Sequence, residues 1–92
     1  MMVRFEWQIT NGIDSICLER HEEVSVLPPV GTVVFFPQED DTVVERVDLW
    51  IGRLPEYCVM LRPFHSENLD KVGLYLESGW YNEDTLEWFY RY

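Results

Sequence analysis

Val3-Arg4-Phe5-Glu6-Trp7-Gln8-Ile9-Thr10-Asn11-Gly12-Ile13 is the stretch on which the fold turns. Val3, Phe5, Trp7 and Ile9 fall on one side of an extended chain and Arg4, Glu6, Gln8 and Thr10 on the other, which is the period of a half-buried strand. Asn11-Gly12 follows at once, and both residues accept the positive φ angles that a tight hairpin turn requires. With a two-residue turn, Thr10 faces Ile13, Trp7 faces Ile16, Phe5 faces Leu18 and Arg4 faces Glu19. That register sets apolar side chains against each other on one face and an opposite-charge pair on the other. Ile9 opposite Asp14 and Val3 opposite Arg20 are its mismatches.

Outward from the hairpin, Val24 to Pro29 ends in two prolines, which cannot donate to a central ladder, so it reads as a connector or sheet edge. Gly31 then opens a β-branched and aromatic run, Thr32 to Phe36, closed by Pro37, and Gln38-Glu39-Asp40-Asp41 reads as an exposed turn. Val43 to Ile51 forms the next strand, Gly52-Arg53-Leu54-Pro55 the next turn, and Tyr57 to Arg62 a strand after it, so that three short strands in succession predict an antiparallel meander. Pro63 ends the run. Ser66 is placed to cap a helix over about residues 67–77, with Leu69, Val72 and Leu76 on one face and Gly79 just past the end. Gly73 weakens the helix, and Val72, Leu74 and Leu76 would also suit a strand. Leu86, Trp88, Tyr90 and Tyr92 alternate with Glu87, Phe89 and Arg91, which favours a final strand over Thr85 to Tyr92; a short helix capped by Asn82 competes with it. The fold class expected is α+β: one domain, a strongly twisted antiparallel sheet of five or six short strands that admits a barrel-like form, and one helix packed on an apolar face.

The 92 residues are too few for a dinucleotide-binding fold or an α/β barrel. Hydrophobic residues make up 47% and aromatics 15%, enough to drive collapse despite a net charge of -10 from 7 basic and 17 acidic residues. The acids are spread along the chain. The opening Met1-Met2-Val3-Arg4-Phe5-Glu6 lacks the uninterrupted apolar core of a secretory signal, and no run approaches the roughly 20 apolar residues of a membrane span, so the expectation is a cytoplasmic protein with no membrane partner. Cys17 and Cys58 are then expected as reduced thiols.

Little in the chain points to chemistry. His21 and His65 lack a second histidine at helical metal-site spacing, neither cysteine belongs to a C-x-x-C pair, and Cys17 and His21 stand roughly 13 Å apart on an extended strand. An activated cysteine needs an imidazole beside it and a third group to orient that base, and acidic surroundings raise a thiol pKa. Glu39-Asp40-Asp41 is contiguous and has no internal glycine, unlike a calcium loop, so it reads as a solvated turn. There is no phosphate-cradling glycine loop and no G-x-S-x-G elbow. Neither enzymatic activity, a metal nor a cofactor is expected. Direct nucleic-acid binding is disfavoured by charge, with six arginines and one lysine against the 17 acids.

What remains is an acidic surface with aromatics. Seven of the 14 aromatic residues, Tyr75, Trp80, Tyr81, Trp88, Phe89, Tyr90 and Tyr92, lie in the C-terminal stretch. Trp80 and Trp88 read first as core, whereas Phe89 falls on the opposite parity and reads as exposed. The function expected is a small acidic protein-binding module, an inhibitor or adaptor. It would dock on a basic, nucleic-acid-handling protein, with Glu22, Glu23, Glu39, Asp40, Asp41, Glu83 and Asp84 steering and Phe89 contributing affinity. In composition alone, with no motif behind it, this profile resembles the phage and mobile-element inhibitors of the anti-restriction and anti-CRISPR kind. Imitation of DNA requires clustering: ten charges over roughly 5,600 Å² fall about fivefold short of the duplex. The alternative is a self-associating structural subunit, a homodimer formed through a C-terminal aromatic edge strand.

Overall fold

A computed structural model describes residues 1–35, 41–67, 69 and 72–82. Among these the chain forms seven strands and one short helix. The strands are β1 (Met2–Thr10), β2 (Ser15–Glu23), β3 (Val33–Val34), β4 (Thr42–Leu49), β5 (Tyr57–Leu61), β6 (Phe64–His65) and β7 (Tyr81–Asn82), and the helix is α1 (Val72–Glu77), between β6 and β7. The sheet runs β3-β4-β5-β1-β2-β7, with β6 also pairing with β1. It is an open mixed sheet of seven strands, where five or six antiparallel strands, with a barrel-like form admitted, were expected. The meander β3-β4-β5 is antiparallel as read, but β5 and β6 lie parallel to β1. The reason is topological: β2 occupies one edge of β1, and β5, entering from the end where β1 begins, fills the other edge in the same direction. The Thr85 to Tyr92 strand, with Glu39, Asp40, Glu83, Asp84 and Phe89, lies outside the described residues.

The β1–β2 hairpin forms with a register two residues longer than the tight turn implies. Thr10 faces Ser15, Ile9 faces Ile16 and Trp7 faces Leu18. Side chains in the loop account for this. The Asn11 side-chain oxygen accepts the backbone N–H groups of Ile13 (2.9 Å) and Asp14 (2.7 Å), and Thr10 Oγ1 accepts that of Gly12 (3.0 Å) while donating to the Asp14 carbonyl. These bonds stabilise a four-residue loop in place of the two-residue turn. A slip of two residues keeps every side chain on its face, so the inside-outside reading survives the change of register.

The core lies on the Val3/Phe5/Trp7/Ile9 face, where these residues are buried with Leu18, Val44, Val59 and Leu61. Trp7 is its centre. Its ring meets Tyr75 at 5.0 Å, Trp80 at 5.6 Å and Phe64 at 5.8 Å between centroids, and its indole N–H donates to the Arg62 carbonyl at 2.9 Å. The helix is shorter than expected. Leu69 adopts a φ of 53°, which a helix cannot contain, and among the described residues α1 spans Val72–Glu77; residues 68, 70 and 71 of the expected helix lie outside them. It buries Val72 and Tyr75, while Leu76, expected inside, is exposed together with Leu74. Its end follows the expected pattern: Gly79 has a φ of 107°, and the Trp80 N–H reaches the Tyr75 carbonyl five residues back. Arg20 closes this end, donating to the Ser78 carbonyl at 2.9 Å with its guanidinium 5.8 Å from the Trp80 ring. No helix among the described residues is long and apolar enough to cross a membrane.

Candidate functional site

The strand directions sort the described connections into two ends of the sheet. At one end lie Met1, the start of β5 and the β4–β5 loop of residues 50–56. At the other lie the Asn11–Asp14 loop, Asp41 just before β4, and Ser66-Glu67 following β6, with the Ser66 N–H bonded to the Thr10 carbonyl at 2.9 Å. Strand β1 has nine residues, so the ends are roughly 27 Å apart.

The outward face between them is charged but self-compensated. There Arg4 pairs with Glu6 (3.3 Å) and Arg46 with Asp48 (3.0 Å), each two positions along its own strand, while Arg20 pairs with Glu22 at the same spacing on the core side of β2, opposite Phe5 and Val3. Arg4 also reaches Glu19 at 3.6 Å, diagonally across the hairpin, and Arg62 stands 3.6 Å from Glu45. The spacing Arg-x-Glu or Arg-x-Asp at residues 4–6, 20–22 and 46–48 was visible in the sequence, since side chains at i and i+2 share a face on a strand. Arg4 is only 2% exposed. Its burial alone would lower the guanidinium pKa, but Cys58, Glu6 and Glu19 outweigh that and raise it. Cys58 beside it is buried, and desolvation pushes its thiol up to about 11 despite the nearby guanidinium. Cys17 and Cys58 are free thiols on strands separated by β1. A cleft of about 300 Å³ on this face is lined by Glu6, Gln8, Cys17, Arg46 and Met60 among others. Among the described residues, no three His, Cys, Asp or Glu side chains gather as metal ligands.

The expected site residues separate accordingly. Glu22 is engaged by Arg20, and Glu23 by the amino terminus at 2.7 Å, so two of the expected steering acids are neutralised in place. Asp41 is exposed. The carboxylates of Asp14, Asp41 and Glu67 carry no ion pair with any described residue, and all three belong to the Thr10 end. Asp14 and Glu67 were not singled out from the sequence, because only the strand order places them at the same end of the sheet as Asp41.

The opposite end is apolar, and sequence reasoning missed it. Ile51 is 89% exposed, Leu54 87% and Trp50 47%, and Leu49, Met1 and Met2 are also exposed. The Arg53 guanidinium lies 5.5 Å from the Trp50 ring centroid, and the Arg53 N–H donates to the Trp50 carbonyl at 3.2 Å, which folds the loop back on itself. Beside the loop is an open hollow of about 510 Å³, lined by Met1, Met2, His21 and the Leu54-Pro55-Glu56-Tyr57 stretch. The signal was Leu49-Trp50-Ile51 running straight into Gly52-Arg53-Leu54: three consecutive apolar residues entering a turn violate strand alternation. No protein-family model, curated protein or solved structure matches this chain.

Proposed function

We propose that this chain is a non-enzymatic binding module that docks on a basic protein surface, of the kind nucleic-acid-handling proteins present, and acts there as an inhibitor or adaptor. One observation carries the reading. All five described arginines are committed elsewhere, four in ion pairs and Arg53 against Trp50, while Asp14, Asp41 and Glu67 at the Thr10 end have no basic counterpart among the described residues. Three carboxylates without ion pairs among the described residues thus share that end, which with the net charge of -10 favours encounter with a positive surface and disfavours direct contact with phosphates. The Cys58 thiol, buried and with its pKa at about 11, is a poor nucleophile at neutral pH, which supports a binding role over a thiol-based one.

The test is affinity capture from host extract with the wild-type chain and with Asp14→Asn/Asp41→Asn/Glu67→Gln, washed at about 0.05 M and about 0.3 M salt. The expected result is a set of basic proteins held by the wild type at low salt, released at high salt, and weakly held by the triple variant. Capture that ignores both salt and the three substitutions contradicts the reading.

A further inference from the structure

We infer that the chain forms a two-fold homodimer through the Met1 end of its sheet, with the 50–54 loop of each copy seated in the hollow of the other. The reading is independent of the proposed binding of a basic partner.

Four features point to a second copy as the occupant. The first is area. Large side chains offer roughly 150–250 Å² each, so Leu49, Trp50, Ile51, Leu54, Met1 and Met2, half to nine tenths exposed, show on the order of 700 Å² of mostly apolar surface. That exceeds the largest patch usual on a monomer and approaches the roughly 800 Å² each partner contributes to a standard interface. The second is self-complementarity. A protruding loop and a hollow of about 510 Å³ lie side by side, so one two-fold axis brings each loop to the other copy's hollow and closes the assembly at two subunits. The hollow is ample for an indole or a branched aliphatic side chain.

The third feature is local charge. Two bodies of -10 repel, and the Met1 end is where contact costs least. Glu23 is matched by the amino terminus and Asp48 by Arg46, while the loop itself carries one charge of each sign, Arg53 and Glu56. Asp14, Asp41 and Glu67, without ion pairs among the described residues, are carried at the far end, roughly 27 Å away and more than three screening lengths at physiological salt. The fourth is that charge argues against an anionic membrane as the occupant, since the loop brings only Arg53 to a surface that the rest of the molecule repels.

Sedimentation equilibrium of the full chain tests this, at tens of micromolar protein and from about 0.05 M to about 0.5 M salt. The expected result is a mass near twice 11.0 kDa, with association strengthened at least severalfold by salt as like-charge repulsion is screened. Ile51→Asp/Leu54→Asp is expected to sediment as a monomer whose unfolding midpoint matches that of the wild type diluted to where it is monomeric, because neither side chain is part of the core. Ile13→Asp alters a residue that is 91% exposed at the opposite end and should leave the dimer intact. A wild-type monomer at every salt concentration overturns the inference. So does a dimer that survives Ile51→Asp/Leu54→Asp, or one lost only when residues 83–92 are removed. A monomer that floats with zwitterionic lipid vesicles assigns the loop to a membrane and overturns it equally. Because basic-partner capture weakens with salt and the dimer strengthens, failure of either reading is separately visible.

Discussion

The two ends of the sheet are built from the same strands and differ in what the sequence hangs on them. At the Met1 end Glu23 and Asp48 are matched by neighbours, Glu56 shares its loop with Arg53, and much of the exposed surface is apolar, with Trp50, Ile51 and Leu54 exposed on the loop. At the Thr10 end exposed carboxylates stand without ion pairs among the described residues. The difference teaches that net charge alone is a poor guide to where a small protein makes contact. Ion pairs along a strand cancel most of the outward face, and what is left over defines the ends. Both ends are positioned by β1, whose alternate residues form the core on one side and the Arg4 network on the other.

The comparison breaks most completely if β1 is undermined. Trp7→Ala removes the ring around which Phe64, Tyr75 and Trp80 pack, and is expected to cost about 3–5 kcal/mol, measured by urea unfolding. Both ends should then lose their properties together. Smaller effects sharpen the contrast. The Cys58 thiol holds its proton more tightly in the folded chain, with a pKa of about 11 against roughly 8.5 unfolded. Its contribution to stability is complete below pH 8.5 and is lost as pH rises toward 11, a fall on the order of 2–3 kcal/mol in unfolding free energy that Cys58→Ala should abolish. Asn11→Ala deletes two loop hydrogen bonds and should cost about 1 kcal/mol, with no effect on the Met1 end. Asp14→Asn/Asp41→Asn/Glu67→Gln should change thermal stability least, by less than about 0.5 kcal/mol, because these carboxylates have no pairs to lose.

How much of this was legible in the sequence follows from the range over which each feature is determined. Alternation in Val3–Thr10 is local, and the hairpin, its faces and the Trp7 core could be read from it. The register could not, because it depends on where the Asn11 and Thr10 side chains send their hydrogen bonds, and Asn-Gly is compatible with either loop. The parallel pairing of β1 with β5 joins residues more than fifty positions apart and leaves no local pattern. The helix was overextended because a periodic pattern carries no record of Leu69 at positive φ. For the site, acidity was obvious, yet the ion pairs of Glu22 and Glu23 were not read: their partners are Arg20, two residues away on the same face, and an amino terminus brought alongside by strand pairing. The exposed loop was legible and was passed over as the end of a strand and a turn.

The division of labour between the ends is tested most directly by capturing basic proteins from host extract side by side with Ile51→Asp/Leu54→Asp and with Asp14→Asn/Asp41→Asn/Glu67→Gln. The prediction is that the apolar-loop variant still retains them at low salt while the charge-neutral variant releases them. Retention by the neutralised chain together with loss by the loop variant would contradict it, placing the partner's contact at the Met1 end.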